Sequence, residues 1–303
     1  MKILLIGFGS IGKRHYEVLN SFEKVESIDL VTKQDIDNII TYKDLASIKD
    51  LNIYDCFVIA SETVKHYDQL KYLCSKVDNK KILVEKPLYD KRYEELSYSN
   101  KVFTAYNLRF HPVFQELNKL LKDETVYSAN IICGQYLPTW RPDQDYRQSY
   151  SADLSQGGGV LRDLSHEFDY ASWLFGNIIK MDAINTKISD LEINSDDICT
   201  VIAVTDRKVI INVSIDYISK HPMRRLIIHT QDLTIEADVI KNSILVYDKE
   251  SNVQNIELEA VDRNYTYSKM HASIINDTSK GLCGFDEGIK IVDIIENIEF
   301  REL

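Results

Sequence analysis

Three consecutive glycines, an aspartate and a histidine lie close together in the segment GGGVLRDLSHEFDY. Residues 157–159 are the glycines, Asp163 follows, and His166 comes three residues later. The apolar spacing predicts a helix, on which residues three apart share a face. A carboxylate orients a neighbouring imidazole and raises its pKa, and such a histidine can transfer a proton near neutrality. Because successive glycines cost backbone entropy, we expect them to leave room for a ligand beside this pair.

The alternative for His166 is a satisfied structural histidine on an ordinary surface helix. A metal site that combines Asp163 and His166 with Glu167 or Asp169 is disfavoured, and no metal is predicted. The five cysteines form no CxxC pair and have no regular spacing, so neither a zinc site nor a disulfide framework is indicated.

A second glycine pattern stands at the beginning of the chain, in MKILLIGFGSIG. Gly7, Gly9 and Gly12 form GxGxxG directly after an apolar strand and at the start of a helix. Gly7 allows the tight turn, Gly9 lets a pyrophosphate approach the backbone, and Gly12 allows close helix–strand packing. The helix N-terminus supplies amides and a positive dipole to the phosphates. This context predicts dinucleotide binding.

The end of the second strand decides which dinucleotide is favoured. An NAD site usually has an acidic residue there, about 20 residues past the glycines, for the ribose hydroxyls. This chain has Thr32 and Lys33, which suit a 2′-phosphate, so NADP(H) is favoured over NAD(H). Asp29 lies earlier in the strand and is expected to point elsewhere, whereas Asp35 is a rival.

A lysine lies at the end of a later strand, in VEKPL at residues 84–88. The proline ends the strand, and Lys86 is therefore expected at the carboxyl edge of a parallel sheet, where ligands of such folds bind. With GFGSIG, IASETVKHYDQL, YNLRFHP and the GGG–Asp–His segment in this order, the whole chain resembles the glucose–fructose oxidoreductase, inositol dehydrogenase and rhizopine-catabolism (Gfo/Idh/MocA) family.

This resemblance implies that Lys86 contacts both the substrate and the nicotinamide. It further implies that Asp163 and His166 bind the reacting sugar hydroxyl and move its proton. Many members space the acid and the histidine four residues apart, whereas DLSH spaces them by three, which turns the histidine by about 100°. The catalytic residues predicted on this basis are Lys86, Asp163 and His166. The predicted cofactor-binding residues are Gly7, Gly9, Ser10, Ile11, Gly12, Thr32, Lys33, Ala60, Ser61, His66, Glu85 and Lys86.

The segment YLPTWRPDQDYRQSYSA at residues 136–152 concentrates aromatic and basic side chains. Aromatic rings stack on sugars, and arginines bind phosphate or carboxylate in a bidentate manner. An ordinary loop or a subunit contact is the alternative. Arg109, in LRFHP, is either a substrate ligand or a hinge residue. The predicted substrate-binding residues are Lys86, Arg109, Trp140, Arg141, Tyr146, Arg147, Asp163 and His166.

Alternating apolar runs and helical segments predict a Rossmann dinucleotide-binding domain over residues 1–106. Its predicted helices are 12–22, 64–77 and 93–97. Residues 107–303 are predicted to form a substrate-binding α+β domain on an open, mostly antiparallel sheet, closed by an amphipathic helix from residue 285 to the end. The resemblance implies that the outer face of this sheet forms a homodimer or homotetramer.

The bulk composition excludes several classes of protein. A net charge of −11 argues against nucleic-acid binding, and no apolar run reaches the length of a membrane span. A cytoplasmic protein is expected. The predicted function is hydride transfer between NAD(P) and a secondary alcohol or ketone of a sugar or sugar derivative. A nucleotide-activated or acidic sugar of surface-glycan biosynthesis is one candidate substrate. Redox-neutral epimerisation with a bound cofactor and a non-catalytic sensor of dinucleotide or sugar are the alternatives.

Overall fold

The computed structural model describes residues 1–298, which divide into two compact units. The first unit consists of Met1–Phe110 and Asp262–Asp293, and the second consists of His111–Val261 with residues 294–298. The prediction of a single boundary after residue 106 placed residues 262–293 in the second domain, whereas their contacts place them in the first unit. Among the described residues, none of the helices is long and apolar enough to cross a bilayer.

The first unit is built on a seven-stranded sheet that confirms the predicted Rossmann-like architecture. Its strand order is β15-β6-β5-β4-β1-β2-β3, and all pairs are parallel except β15 with β6. The strands are β1 Lys2–Ile6, β2 Ser27–Val31, β3 Thr41–Tyr42, β4 Cys56–Ile59, β5 Lys81–Val84, β6 Lys101–Thr104 and β15 Cys283–Gly284.

Helices cover both faces of this sheet, which explains why its strands are apolar on both sides. Helices α1 (Ser10–Leu19) and α7 (Tyr265–Ile275) pack on one face. Helices α2 (His66–Cys74) and α8 (Phe285–Glu296) pack on the other. Residues 262–293 therefore belong with the first unit because they supply one helix to each face. Residues 299–303 of the predicted closing helix lie outside the described residues.

The predicted helix at residues 93–97 does not form, and the connection from β5 to β6 has no helix. Aromatic packing replaces it. The ring of Tyr93 stacks on that of Tyr67 with a centroid distance of 4.0 Å, and Tyr89 contacts both rings edge to face. A run of five residues is too short to be stable as a helix without such support, and here tertiary contacts favour the irregular conformation.

The second unit contains the predicted open sheet. Its strand order is β14-β13-β12-β11-β7-β10-β9-β8, with only the β10–β7 pair parallel. The strands are β7 Val126–Gly134, β8 Ile178–Thr186, β9 Ile198–Thr205, β10 Ile210–Asp216, β11 Met223–Thr230, β12 Thr234–Asp238, β13 Ser243–Tyr247 and β14 Val253–Glu257. The helices are α3 Pro112–Leu120, α4 Leu137–Trp140, α5 Val160–Asp163 and α6 His166–Phe175.

Helices α5 and α6 pack on one face of this sheet, against β7, β9 and β10. The predicted apolar face of the segment is buried there, since Leu161, Leu164, Phe168, Ala171 and Leu174 are at most 6% exposed. Alternate residues of β7, β9, β10 and β11 point away from these helices. The packing of α5 and α6 on this face of the sheet therefore fixes the backbone that carries Asp163 and His166.

Candidate functional site

The glycine turn between β1 and α1 has the space that a dinucleotide phosphate needs. A Cβ atom on Gly7 would lie 2.6 Å from the carbonyl oxygen of Ala60, and one on Gly12 would lie 2.2 Å from that of Gly7. These two glycines are required by packing. A Cβ on Gly9 would meet no atom within 4 Å. Helix α1 has neither a side-chain cap nor an acidic residue in its first turn, so the amides of Ser10 and Ile11 fit an anionic group.

Strand β2 has no acidic side chain at its end that could bind a ribose. Asp29 accepts a hydrogen bond of 2.6 Å from the Tyr54 hydroxyl and is buried, as expected. Thr32 is also buried and accepts a bond from the backbone of Gln34, whereas Lys33 is exposed. Asp35 forms an ion pair with Lys43 at 2.7 Å, and this contact lowers the pKa of the Asp35 carboxyl.

Lys86 follows β5, and the glycine turn follows β1, so both stand at the carboxyl edge of the same sheet. Only β4 separates β5 from β1, and the spacing between adjacent strands places the two strand ends about 10 Å apart. Lys86 is partly exposed, while Glu85 is 7% exposed. The Glu85 carboxylate accepts bonds from His15 and from the amide of Lys86, so its oxygens are engaged within the protein.

His66 is predicted to bind the cofactor, but its ring is buried among backbone carbonyls. Its Nε2 lies 3.1 Å from the carbonyl oxygen of Ser61, and its Nδ1 lies 3.2 Å from those of Pro87 and Leu88. Burial lowers the pKa of His66 although these carbonyls oppose the shift. His66 thus joins the turn after β4 to the residues that follow Lys86.

Arg109 lies inside the first unit and is 2% exposed. Its Nη1 atom donates to Glu287 at 2.9 Å and to the carbonyl of Leu282 at 3.3 Å. Both partners belong to the returning segment of residues 262–293. This position supports a structural role for Arg109, the alternative to substrate binding.

Protein atoms occupy the space beside two of the three glycines at residues 157–159. A Cβ on Gly158 would lie 2.1 Å from the carbonyl oxygen of Tyr150, and one on Gly159 would lie 2.0 Å from Oδ1 of Asp196. Gly157 and Gly159 have φ angles of +79° and +109°, which glycine adopts readily. The expectation that these glycines leave room for a ligand is therefore wrong for Gly158 and Gly159. Because Gly158 and Gly159 have no side chains, the backbone of Tyr150 and the carboxylate of Asp196 can approach them closely.

The predicted single helix through Asp163 and His166 is also interrupted. Asp163 is the last residue of α5, and His166 is the first of α6, with Leu164 at φ −99° and ψ 30° between them. The helical-wheel argument for a shared face therefore does not apply across the break. Tyr170, further along α6, is fully buried, and its hydroxyl lies 3.4 Å from Glu167.

Two hydroxyl groups hold the carboxylate of Asp163. Ser151 and Tyr217 each donate to its Oδ2 at 2.6 Å. Burial, followed by the charge of Asp163, raises the pKa of Tyr217 well above its ordinary value, so this phenol remains a donor. Sequence reasoning missed both partners, because Tyr217 follows strand β10 far along the chain and Ser151 is one serine in a polar loop.

The aromatic and basic loop at residues 136–152 adjoins this carboxylate within the second unit. The Trp140 ring contacts that of Tyr217 edge to face at 5.2 Å, and the guanidinium of Arg141 lies 5.2 Å from the centroid of the Tyr150 ring. Trp140 and Arg141, with Tyr146, also line a small surface depression.

Arg147 is engaged differently from Arg141. Its guanidinium donates to Asp145 through Nε and Nη2 and to Glu192 through Nη1, at 2.9 to 3.1 Å. The hydroxyl of Tyr146 accepts a bond of 3.3 Å from the amide of Glu192. These contacts support a structural role for Arg147, which was predicted to bind substrate.

The residue after His166 forms a buried ion pair. Glu167 is fully buried and accepts a bond of 2.7 Å from Nε of Arg224 on β11. The ion pair ties the first turn of α6 to the sheet. Among residues 1–298, no group of three or more His, Cys, Asp or Glu side chains is arranged to hold a metal ion.

Comparison with known proteins agrees with this architecture. Residues 114–236 match the family model described as the GFO/IDH/MocA C-terminal domain. An uncharacterized oxidoreductase of Synechocystis sp. is 25% identical over 193 residues, which cover 58% of this chain and 52% of that protein. The match thus spans about half the length of the curated relative.

Three solved structures show the same fold at low identity. Levoglucosan dehydrogenase in complex with NADH is 15% identical, with a TM-score of 0.81 over 98% of this chain and 95% of that one. An oxidoreductase from Agrobacterium radiobacter, in complex with NAD+, L-tartaric acid and magnesium, has the same identity, coverage and TM-score. UDP-N-acetylglucosamine 3-dehydrogenase from Acidithiobacillus ferrooxidans is 14% identical, with a TM-score of 0.76 over 98% and 96% of the chains.

The fold defines a two-unit protein with a Rossmann-like sheet and an open, mostly antiparallel sheet. The chain is similar to the GFO/IDH/MocA family in residues 114–236 and shares the fold of these oxidoreductases, in agreement with the resemblance of its motifs.

Proposed function

We propose that this protein is a nicotinamide-dinucleotide-dependent oxidoreductase that acts on a secondary alcohol or ketone of a sugar or sugar derivative. The observation that carries the proposal lies in the first unit. Open space at Gly9 adjoins an uncapped helix N-terminus, and Lys86 stands at the same sheet edge. The structural neighbours solved with NADH or NAD+ support the cofactor class.

The amides after Gly9 would hold the pyrophosphate of the dinucleotide. When bound, the nicotinamide supplies the chemistry of accepting or giving a hydride. Exposed Lys33 beside Thr32, with Asp29 bound to Tyr54, supports a preference for NADP(H). A cation at the strand end binds a 2′-phosphate, whereas an acidic residue would repel it.

Three side chains carry the reaction in this proposal. The ammonium of Lys86 stabilises the negative charge that develops on the substrate oxygen. In oxidation, the His166 imidazole accepts the hydroxyl proton as hydride leaves the carbon, and it returns a proton in reduction. Asp163 orients the substrate, and its own position is fixed by Ser151 and Tyr217.

Cations and aromatic rings of the loop at residues 136–152 and of the segment after β10 support an acidic or nucleotide-activated sugar. Lys220 Nζ lies 3.2 Å from the centroid of the Tyr136 ring, and Arg141 lies over Tyr150. Aromatic rings bind the apolar faces of sugars, and the two cations would attract a carboxylate or a phosphate.

The function is tested in two stages. Fluorescence titrations with NADPH and NADH are expected to show tighter NADPH binding by tenfold or more, about 1.4 kcal/mol. Tighter NADH binding would refute the role of Lys33. Absorbance at 340 nm then follows cofactor reduction across a panel of sugars, sugar acids and nucleotide sugars.

Two variants test whether turnover depends on the side chains of Lys86 and Asp163. Lys86→Ala and Asp163→Asn should retain cofactor binding and lose turnover. If the two groups act on one substrate, the double variant should lose far less activity than the product of the two single losses. Cofactor binding without turnover of any sugar would instead favour a sensor.

The outer face of the second sheet supports a homo-oligomer. Its exposed apolar residues include one from each of four neighbouring strands: Ile132, Ile202, Ile210 and Ile227 are 37% to 53% exposed. Such a grouping of apolar side chains is typical of an interaction surface. Light scattering should give a dimer or tetramer, and Ile202→Asp should convert it to a smaller species. A monomeric wild-type protein would refute this assembly.

A further inference from the structure

A chain of three buried polar side chains connects helices α1 and α7 with the residue before Lys86. His15, Glu85 and His271 are 0%, 7% and 1% exposed. Nε2 of His15 lies 2.9 Å from Oε1 of Glu85, and Nδ1 of His15 lies 2.7 Å from Nε2 of His271. All three residues belong to the first unit. Neither the motif nor the resemblance assigned a role to His15 or His271.

The charge states of this chain follow from its surroundings. Burial alone would raise the pKa of Glu85, but the hydrogen bond and charge of His15, with the Lys86 amide, lower it on balance. Glu85 is therefore a carboxylate. Burial and the neighbouring His15 lower the pKa of His271 well below its ordinary value, so His271 is neutral. An ionised carboxylate only accepts, and His15 therefore donates from Nε2 to Glu85.

The second oxygen of Glu85 extends the chain to the reactive lysine. Oε2 of Glu85 accepts the backbone N–H of Lys86 at 3.0 Å. On the following residues, His66 lies within 3.2 Å of the carbonyl oxygens of Pro87 and Leu88. The amide of Lys86 is thus held by Glu85, and the carbonyls of the next two residues lie against His66.

We infer that His15 and His271 are positioning residues for Lys86, acting through the Glu85 carboxylate. The inference rests on the proposed role of Lys86 in hydride transfer. Burying three polar groups in an apolar core is costly unless each is paired, and apolar replacements of equal volume are often as stable. A purely structural core would therefore not need these three polar side chains. Holding the Lys86 peptide in place at the sheet edge does need them.

The geometry also explains why the chain returns to the first unit. Helix α7 brings His271 against His15, and Tyr267 of the same helix packs edge to face on the His15 ring at 5.2 Å. His15 itself lies on α1, the helix that begins at the glycine turn. The side chain of His15 thereby connects helix α1, which begins at the glycine turn, with the residues that follow strand β5, among them Lys86.

The test compares His15→Leu with His15→Gln, which keeps a donor, and with Tyr54→Phe as the matched control. Tyr54→Phe removes a different buried hydrogen bond to a carboxylate of the same sheet, that with Asp29. Amide hydrogen exchange by NMR reports on the Lys86 peptide. Labelling with trinitrobenzenesulfonate, resolved by mass spectrometry, reports on each lysine amine. Neither measurement needs a substrate, so a failure of the proposed function would leave both readable.

In His15→Leu, the Lys86 amide should exchange about tenfold faster or more, because its acceptor has lost the partner that orients it. The amide of Leu83 within β5 should be unchanged. The labelling rate of Lys86 should change at least threefold while the other lysines keep theirs, and His15→Gln should restore both values in part. If His15→Leu does not fold, His15→Met, which also lacks a donor, replaces it in the same comparison. Lys86 behaviour equal to that in Tyr54→Phe would overturn the inference.

Discussion

Replacing Gly9 by alanine should separate dinucleotide binding from stability. Gly9 has φ −73° and ψ −165°, an extended conformation that alanine adopts without strain. The new methyl group would meet no protein atom within 4 Å. Alanine at such a position reduces the freedom of the unfolded chain and stabilises by about 0.4–1 kcal/mol. The free energy of unfolding should therefore be unchanged or slightly higher.

Binding should respond in the opposite direction. The methyl group would fill the space beside the α1 amides that we assign to the pyrophosphate. We expect affinity for both NADH and NADPH to fall at least tenfold, about 1.4 kcal/mol. Fluorescence titration gives the affinities, and urea unfolding of the same preparations gives the stability.

Gly12→Ala is the matched control because its methyl group would collide with the protein itself. Its Cβ would lie 2.2 Å from the Gly7 carbonyl oxygen. Overpacking of this kind costs about 1–3 kcal/mol, against a gain in helix propensity of about 1 kcal/mol. This variant should lose stability as well as binding. If Gly9→Ala binds dinucleotide within threefold of wild type, the assignment of this space to the phosphates is refuted.

Three further predictions concern the second unit. Burial raises the pKa of Asp196 to about 6 from an ordinary 3.8, so the folded state favours its protonated form. As pH rises from 4 to 6, wild type should lose roughly 2–3 kcal/mol of stability relative to Asp196→Asn, measured by urea unfolding; parallel curves would contradict the shift. Arg224→Met leaves buried Glu167 without its ion pair and should cost about 3–5 kcal/mol by the same assay, whereas Arg147→Ala, at a half-exposed ion pair, should cost at most about 1 kcal/mol; equal losses would refute the difference. Tyr217→Phe removes one donor from Asp163 and should lower kcat/KM about tenfold or more with dinucleotide affinity unchanged, and an unaltered kcat/KM would refute its positioning role.

Local patterns in the sequence were sufficient for the Rossmann-like sheet and its glycine turn. The strands β1, β2, β4, β5 and β6 are short apolar runs because both sheet faces are covered. Gly7 and Gly12 are required by neighbours that the turn itself and the adjoining strand provide. Lys86 could be placed at the sheet edge because the carboxyl ends of parallel strands share that edge.

Contacts between distant segments decided what the local patterns could not show. Helix α7 belongs to the first unit because it packs with α1, a contact separated by some 250 residues and invisible to periodicity. The central position of strand β7 is decided in the same way, since its partners β10 and β11 lie far along the chain.

The glycines at residues 157–159 show the difference most clearly. Their number signalled a backbone that must remain bare, and this was correct. What occupies the space is the carbonyl of Tyr150 and the carboxylate of Asp196, which no local pattern relates to them. The sequence by itself determined that glycine was needed at residues 157–159 and that Asp163 was a candidate functional residue. Only the tertiary structure determined which atoms approach the glycines and which hydroxyls hold Asp163, because those contacts join residues that are remote in the chain.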